Sequence, residues 1–231
     1  MKVSAIIPAA GQGLRMGGDI PKQFLLLQGK PILHHTLAVF ETCVDAVALV
    51  VPEKELAVTR KQWLGACGIV RQVIAGGAER QDSVANGLRA LDKDTDIVIV
   101  HDGVRPFVSP EIIKESIAAA RQFGAAVTAI PVRDTVKIST ADGWVKGSVD
   151  RENLWRMQTP QAFQYDLLCE AFEKAVRDNY YGTDEGSLVA YLGKPVKIIA
   201  GSEWNIKITC SDDLALGGKI AVLLEPGPTV P

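Results

Sequence analysis

From Val3 to Pro131 the chain alternates short apolar runs with amphipathic stretches. Val3 to Ile7, Val47 to Val51, Ile69 to Ala75, Ile97 to Val100 and Ala125 to Pro131 are compact and largely apolar, as strands buried on both faces are. Between them, Pro31 to Cys43, Glu53 to Leu64, Asp82 to Leu91 and Pro110 to Phe123 are amphipathic stretches of helical character. Strands alternating with helices at this pitch predict crossover units on a mostly parallel sheet with helices on both faces, an α/β fold. In such a sheet ligands bind at the carboxyl ends of the strands.

The rhythm breaks after Pro131. Thr135 to Ser139, a polar turn through Ala141-Asp142-Gly143, and Trp144 to Lys146 predict a β-hairpin with little core of its own. An isolated hairpin is marginal in water. This arm, about 132–153, is therefore expected to pack on something else, either a second subunit or the surface of its own chain. Helices follow at Tyr165 to Arg177 and Asp184 to Leu192, and strands at Val196 to Ile199 and Ile206 to Thr209. A last helix runs from Ser211 to Leu224, with Ser211 as its N-cap. The proline-rich tail 225–231 cannot continue that helix and is expected to be disordered.

Composition narrows the class. The 231 residues are 47% apolar and 23% charged, which fits one ordinary globular domain covering 1–231. The apolar run at the N-terminus is too short for a signal peptide, and no stretch approaches the length of a bilayer crossing, so a cytoplasmic protein without membrane contact is expected. Cys43, Cys67, Cys169 and Cys210 form no C-x-x-C pair, which argues against zinc and against a disulfide framework and predicts buried free thiols. A net charge of -2 with no lysine or arginine run excludes a global field for nucleic acid. An anionic ligand must then be met by a local cluster of cations.

The loop after the first strand supplies two of them. Gly11 and Gly13 are followed by Met16 where a dinucleotide fingerprint needs its third glycine, and Gly18 is followed by Asp19 and Ile20 where a Walker loop needs lysine and serine or threonine. What remains is Pro8, two alanines and a glycine turn. A flat base can lie against Ala9 and Ala10, and Gly11 and Gly13 can turn consecutive amides toward a triphosphate. Arg15 and Lys22 would grip the phosphates. The same residues also suit a plain surface turn with two solvated cations.

A second glycine loop, Gly76-Gly77 to Ser83, would lie on the same sheet edge, with Ser83 either an N-cap or a hydroxyl for a base edge. Asp102 ends a buried strand, where it could ligate a magnesium ion bridging phosphates, cap the next turn, or pair with Arg105. His101 has no histidine or cysteine spaced to join it on a metal and reads as structural; His34 and His35 read as packing or surface residues. Lys207, between Ile206 and Ile208, is either a solvated edge lysine or a third phosphate cation. Arg133, Lys137 and Arg151 add positive charge around the arm, and Thr135 and Thr159 offer hydroxyls.

Taken together, Pro8-Ala-Ala-Gly-Gln-Gly-Leu-Arg-Met16, Pro21-Lys-Gln-Phe24, Gly77 to Ser83, His101-Asp-Gly-Val-Arg-Pro106, Pro131-Val-Arg-Asp-Thr-Val-Lys137, Asp150-Arg151, Gln158-Thr-Pro-Gln161, Thr183-Asp184-Glu185 and Asn205-Ile-Lys-Ile-Thr209 resemble, in order and spacing, the 2-C-methyl-D-erythritol 4-phosphate cytidylyltransferase family of the non-mevalonate isoprenoid pathway. The resemblance runs from about Lys2 to Leu224. It implies a single-domain, Rossmann-like nucleotidyltransferase fold that forms a homodimer by exchanging the hairpin arm. It implies CTP held by Pro8, Ala9, Ala10, Gly11, Gly13, Gly77, Arg80 and Ser83, with Arg15, Lys22 and Lys207 acting on the phosphates. Asp102, Arg105, Thr135, Arg151, Thr159 and Lys207 would form the methylerythritol phosphate site, Thr135 and Arg151 reaching in from the partner's arm, and magnesium would accompany the nucleotide, with Asp102 as its possible ligand. Ala78 stands where some members carry an acidic residue, and Gly103 where many carry alanine. A relative acting on another polyol phosphate, such as ribitol 5-phosphate, and a module that binds CTP without turning it over are the two competing readings.

Overall fold

The computed structural model describes residues 1–11, 21–65 and 67–224. Gly13 and Arg15 of the first loop and the tail 225–231 lie outside them. In chain order the elements are β1 (Val3–Pro8), the short pair β2 (Leu26–Leu27) and β3 (Lys30–Pro31), α1 (Ile32–Phe40), β4 (Ala46–Val51), α2 (Leu56–Trp63), β5 (Val70–Ala75), α3 (Arg80–Ala90), β6 (Ile97–Val100), α4 (Pro110–Phe123) and β7 (Ala125–Pro131). After these come β8 (Lys137–Ser139), β9 (Val145–Ser148), β10 (Trp155–Gln164), α5 (Tyr165–Arg177), α6 (Glu185–Tyr191), β11 (Lys197–Ala200) and α7 (Ser211–Leu224).

Seven strands form one sheet in the order β11-β7-β10-β6-β1-β4-β5. Among these strands only β10 runs antiparallel to its neighbours, β6 and β7. Because side chains alternate across a strand, Ala5 and Ile7 join Leu37, Phe40, Ile99 and Ile113 on one face. Ile6 joins Val84, Leu88, Val98, Val100, Phe163 and Leu188 on the other. Each large side chain withdrawn from water on either face contributes about 1.5 to 3 kcal/mol, so both helix layers are anchored to the central strands. α3 lies close on β1 because Gly87 has no Cβ; one built there would stand 2.5 Å from Ile6 Cγ2.

β10 is the strand of the seven-stranded sheet that apolar patterning does not announce. Its sequence, Trp155 to Gln164, is rich in amides and contains Pro160, and the pairing with β7 shifts register between Met157 and Gln161, where a proline is tolerated. Two local expectations are corrected. Ile206 to Thr209 is irregular rather than a strand; Ile208 is fully buried and its N–H donates to Val104 C=O at 2.9 Å. Ser211 is the first helical residue rather than a cap, and the Asp213 carboxylate two residues later accepts from the Thr209 and Cys210 N–H groups at 2.8 and 3.0 Å. Of the four cysteines, all free, Cys67 is buried and the others are half-buried.

Candidate active site

β1 sits between β6 and β4, so the chain leaves the sheet centre on both sides and opens a crevice at the carboxyl ends of these strands. Three backbone bonds draw the loops together there. Ala9 N–H donates to Val50 C=O at 2.7 Å, Gly76 N–H to Val51 C=O at 2.8 Å, and Gly103 N–H to Pro8 C=O at 3.2 Å. Between the loops lies a cavity of about 530 Å³, lined by Pro8 to Gly11 and Lys22, by Gly77 to Arg80 and Ser83, and by Asp102 and Lys207.

The two glycine loops touch. A Cβ on Gly76 would overlap Ala10 Cβ and stand 2.9 Å from Ser83 Oγ, and one on Gly77 would overlap Asp82 Cβ. Ser83 is not the N-cap of α3. Glu79 holds that position in a capping box with Asp82, while the buried Ser83 hydroxyl accepts from Gly77 N–H at 3.0 Å and donates to Glu79 C=O at 3.1 Å. On the opposite wall the Gln23 amide, itself buried, donates to Ala9 C=O at 2.6 Å and pins the return of the first loop.

The floor carries an ion cluster. Asp102 Oδ1 accepts from Arg80 Nε at 3.3 Å, and Oδ2 meets Arg105 Nε at 3.2 Å and Lys207 Nζ at 2.9 Å. Lys207 is therefore turned into the cavity and is not a solvated edge residue. Burial would push the Asp102 carboxyl up, but Lys207, Arg80 and Arg105 overcome it and hold the group far below the usual carboxylate range. Arg80 is gripped at its other end by Glu185, 1% exposed, through Nη1 to Oε1 at 2.7 Å and Nη2 to Oε2 at 3.1 Å. Burial pushes the Glu185 carboxyl upward, and this two-pronged contact opposes it.

Behind the cluster, Thr159 Oγ1 accepts from the Asp102 N–H at 3.1 Å and lies 3.0 Å from His101 Nδ1. His101 Nε2 is 3.1 Å from Arg105 C=O, and burial pushes the imidazole down to about 4. His101 is thus a neutral strut. Arg105 Nη1 donates to Asn205 C=O at 2.8 Å, and Asn205 Nδ2 to Thr159 C=O at 2.8 Å. Thr159 and Arg105 accordingly stand behind or beside Asp102, and both brace it.

Thr135 and Arg151 are exposed on the arm and do not line this cavity within one chain. The arm consists of β8 and β9 in a sheet of their own, carrying Ile138, Trp144 and Val145 at 51, 73 and 69% exposure. Arg151 donates to the Arg133 C=O, and Lys137 to Ser148 Oγ at 2.6 Å, so the arm's base is internally tied.

The family model for 2-C-methyl-D-erythritol 4-phosphate cytidylyltransferase matches residues 3–222. The chain belongs to that family. A cytidylyltransferase of this name from Geotalea uraniireducens is 48% identical over 222 residues, covering 94% of this chain and 95% of its own length. Among solved structures, the family's protein from Thermus thermophilus is 36% identical with a TM-score of 0.82, over 96% of this chain and 100% of that one. The 4-diphosphocytidyl-2C-methyl-D-erythritol synthase from Anaerococcus prevotii is 32% identical with a TM-score of 0.83, over 96% and 98%. Sequence reading assigned no role to Gln23, Glu185 or Asn205, although all three lie inside the motifs that carry the resemblance. Nothing in the local pattern marked them, since Thr183, Glu203 and Trp204 close by are exposed while Glu185 and Asn205 are buried.

Proposed function

We propose that the chain transfers the cytidylyl group of CTP to the phosphate of 2-C-methyl-D-erythritol 4-phosphate, releasing pyrophosphate, as a single domain over 1–231. The observation that carries this reading is the shared cavity in which the alanine and glycine loops face Lys22, Arg80 and Lys207 across Asp102. The base would rest on the smooth surface of Ala9 and Ala10, near Gly77 and Ser83; the Ala9 N–H is already committed to Val50. Beyond Gly11 the triphosphate would meet Lys22 and Lys207, together with Gly13 and Arg15.

The acceptor phosphate is largely dianionic at neutral pH and needs no general base. One of its oxygens attacks the α-phosphorus. A new P–O bond forms there, the bond to the oxygen bridging toward the β-phosphorus breaks, and pyrophosphate leaves with the electron pair. What the protein must supply is alignment and positive charge where negative charge gathers. Lys22, Lys207 and Arg80, which line the cavity, would supply that charge, and His101, neutral and bonded at both nitrogens, is not needed as an acid or base.

Among the described residues no group of three or more histidine, cysteine or acidic side chains could hold a metal by itself. The residues fit instead a magnesium ion carried by the triphosphate, which supplies most of its own ligands. Asp102, ionised and facing the cavity, is the residue that would hold it, in exchange for one of the three cations now on its oxygens. Bound there, the ion would neutralise phosphate charge. Asp102, braced by Arg105 and Thr159, would complete the acceptor site with Thr135 and Arg151 of a second copy, joined through the exposed arm into a homodimer. No described helix is long and apolar enough to cross a membrane, and four free thiols suit work in the cytoplasm.

The test is pyrophosphate release from CTP with magnesium, offering methylerythritol phosphate and ribitol 5-phosphate separately. Release with the first alone is expected. Release with the second alone would reassign the acceptor, and no release with either would leave a CTP-binding module.

A further inference from the structure

Among the described residues the buried carboxylates are Asp102 and Glu185, and the transfer chemistry uses only the first. Glu185 meets Arg80, the opening residue of α3. A cation there sits at the positive end of the helix dipole, so the helix itself does not favour it. The guanidinium has five N–H donors in a plane. Nη1 and Nη2 give one each to Glu185 at 2.7 and 3.1 Å, and Nε gives its own to Asp102 at 3.3 Å. A contact of this forked kind fixes the plane of the group as well as its place.

Glu185 is itself rigidly set. Asp184 caps α6, accepting from Ser187 N–H at 2.8 Å, and Gly186 N–H donates to Gln161 Oε1 at 2.9 Å. Gln161 Nε2 closes the ring on Asp184 Oδ2 at 2.8 Å. A Cβ on Gly186 would stand 2.7 Å from Val127 Cγ1, so the first turn of α6 lies hard against β7. Strands β7 and β10 thus position Glu185, and Glu185 positions Arg80.

We propose that Glu185 is a positioning residue for cytidylyl transfer, setting the Arg80 guanidinium so that its remaining N–H groups meet a substrate phosphate beside Asp102. This rests on the transfer reaction above, and release of pyrophosphate by the unsubstituted protein tests that reaction independently of Glu185. The variants are Glu185→Gln, which keeps the shape and loses the charge, Glu185→Asp, which keeps the charge and shortens the reach, Arg80→Ala, and the Glu185→Gln/Arg80→Ala pair. Each is assayed for kcat and KM toward both substrates, well below its own melting temperature. Both Glu185 variants are expected to lose about 10- to 100-fold in kcat/KM, mostly through KM. The double variant is expected to match Arg80→Ala alone within about twofold, because a residue acting through another adds nothing once that other is gone.

Wild-type kcat/KM in Glu185→Asp would overturn the proposal, since charge alone would then suffice. Multiplying losses in the double variant would overturn it too, as would a lower KM in Glu185→Gln, which would make Glu185 a sink for positive charge. Should Glu185→Gln fail to fold, Glu185→Asp and its combination with Arg80→Ala decide by the same criteria.

Discussion

His101 makes the site acid-sensitive in a way that can be worked out. The imidazole is fully buried, and burial lowers its pKa from 6.5 to about 4 against the attraction of Asp102, with Arg105 and Lys207 adding to the lowering. Above pH 6.5 the ring is neutral in folded and unfolded chains, and the folded state keeps its full stability. As pH falls below 6.5 the unfolded chain takes up a proton that the folded chain excludes, and stability is lost at about 1.4 kcal/mol per pH unit. The loss levels off near the folded value, after about 3 kcal/mol, a large share of the roughly 5 to 15 kcal/mol typical of a domain. Substituting His101→Gln removes this titration while leaving polar atoms for Thr159 and the Arg105 carbonyl. Urea unfolding at pH 7, 6, 5 and 4.5 should show the unsubstituted protein losing about 2 kcal/mol more than His101→Gln loses, a margin set by the same linkage. The comparison subtracts other titrating groups, such as His34, which burial also lowers. Parallel pH profiles for the two proteins would refute the reasoning.

Three further outcomes are expected. Lys22→Ala and Lys207→Ala should each lower kcat by about 10²- to 10³-fold, as removal of preorganised charge does, with circular dichroism unchanged; near-normal turnover in either would remove that lysine from the chemistry. Gly76→Ala, whose Cβ would overlap Ala10 and crowd Ser83, should cost about 1 to 3 kcal/mol and raise the KM for CTP, read from thermal melts and initial rates. Inactive Lys22→Ala and Arg151→Ala chains, unfolded together and refolded as mixed dimers, should recover about a quarter of wild-type activity. This follows if each site combines one chain's loop with the other's arm in a twofold assembly; no recovery would place arm and loop of each site in the same chain.

Much of the scaffold was legible from local pattern. The runs at Val3, Val47, Ile97 and Ala125 are apolar on nearly every position because both sheet faces are covered, and they became β1, β4, β6 and β7. The glycines at 76 and 77, behind a strand and ahead of a helix, marked the second loop, whose Gly77 lines the cavity with Ala9, Ala10 and Ser83. Local pattern did not show β10, whose amides Gln158 and Gln161 look solvent-facing along the chain. In the fold they bond Ser202 C=O and Asp184, in segments that come later in the chain.

The sequence by itself settled which apolar runs must be buried, which turns need glycine, and which cations exist to meet an anion, because these follow from residue type and spacing within a dozen neighbours. Only the tertiary structure decided who pairs with whom. Arg80 finds Asp102 across 22 positions and Glu185 across 105, and Lys207 leaves an irregular segment to reach Asp102 at 2.9 Å. Such contacts carry no period along the chain. They arise where crossovers bring strand ends together, and burial there makes each unpaired charge costly enough that the fold must supply its partner.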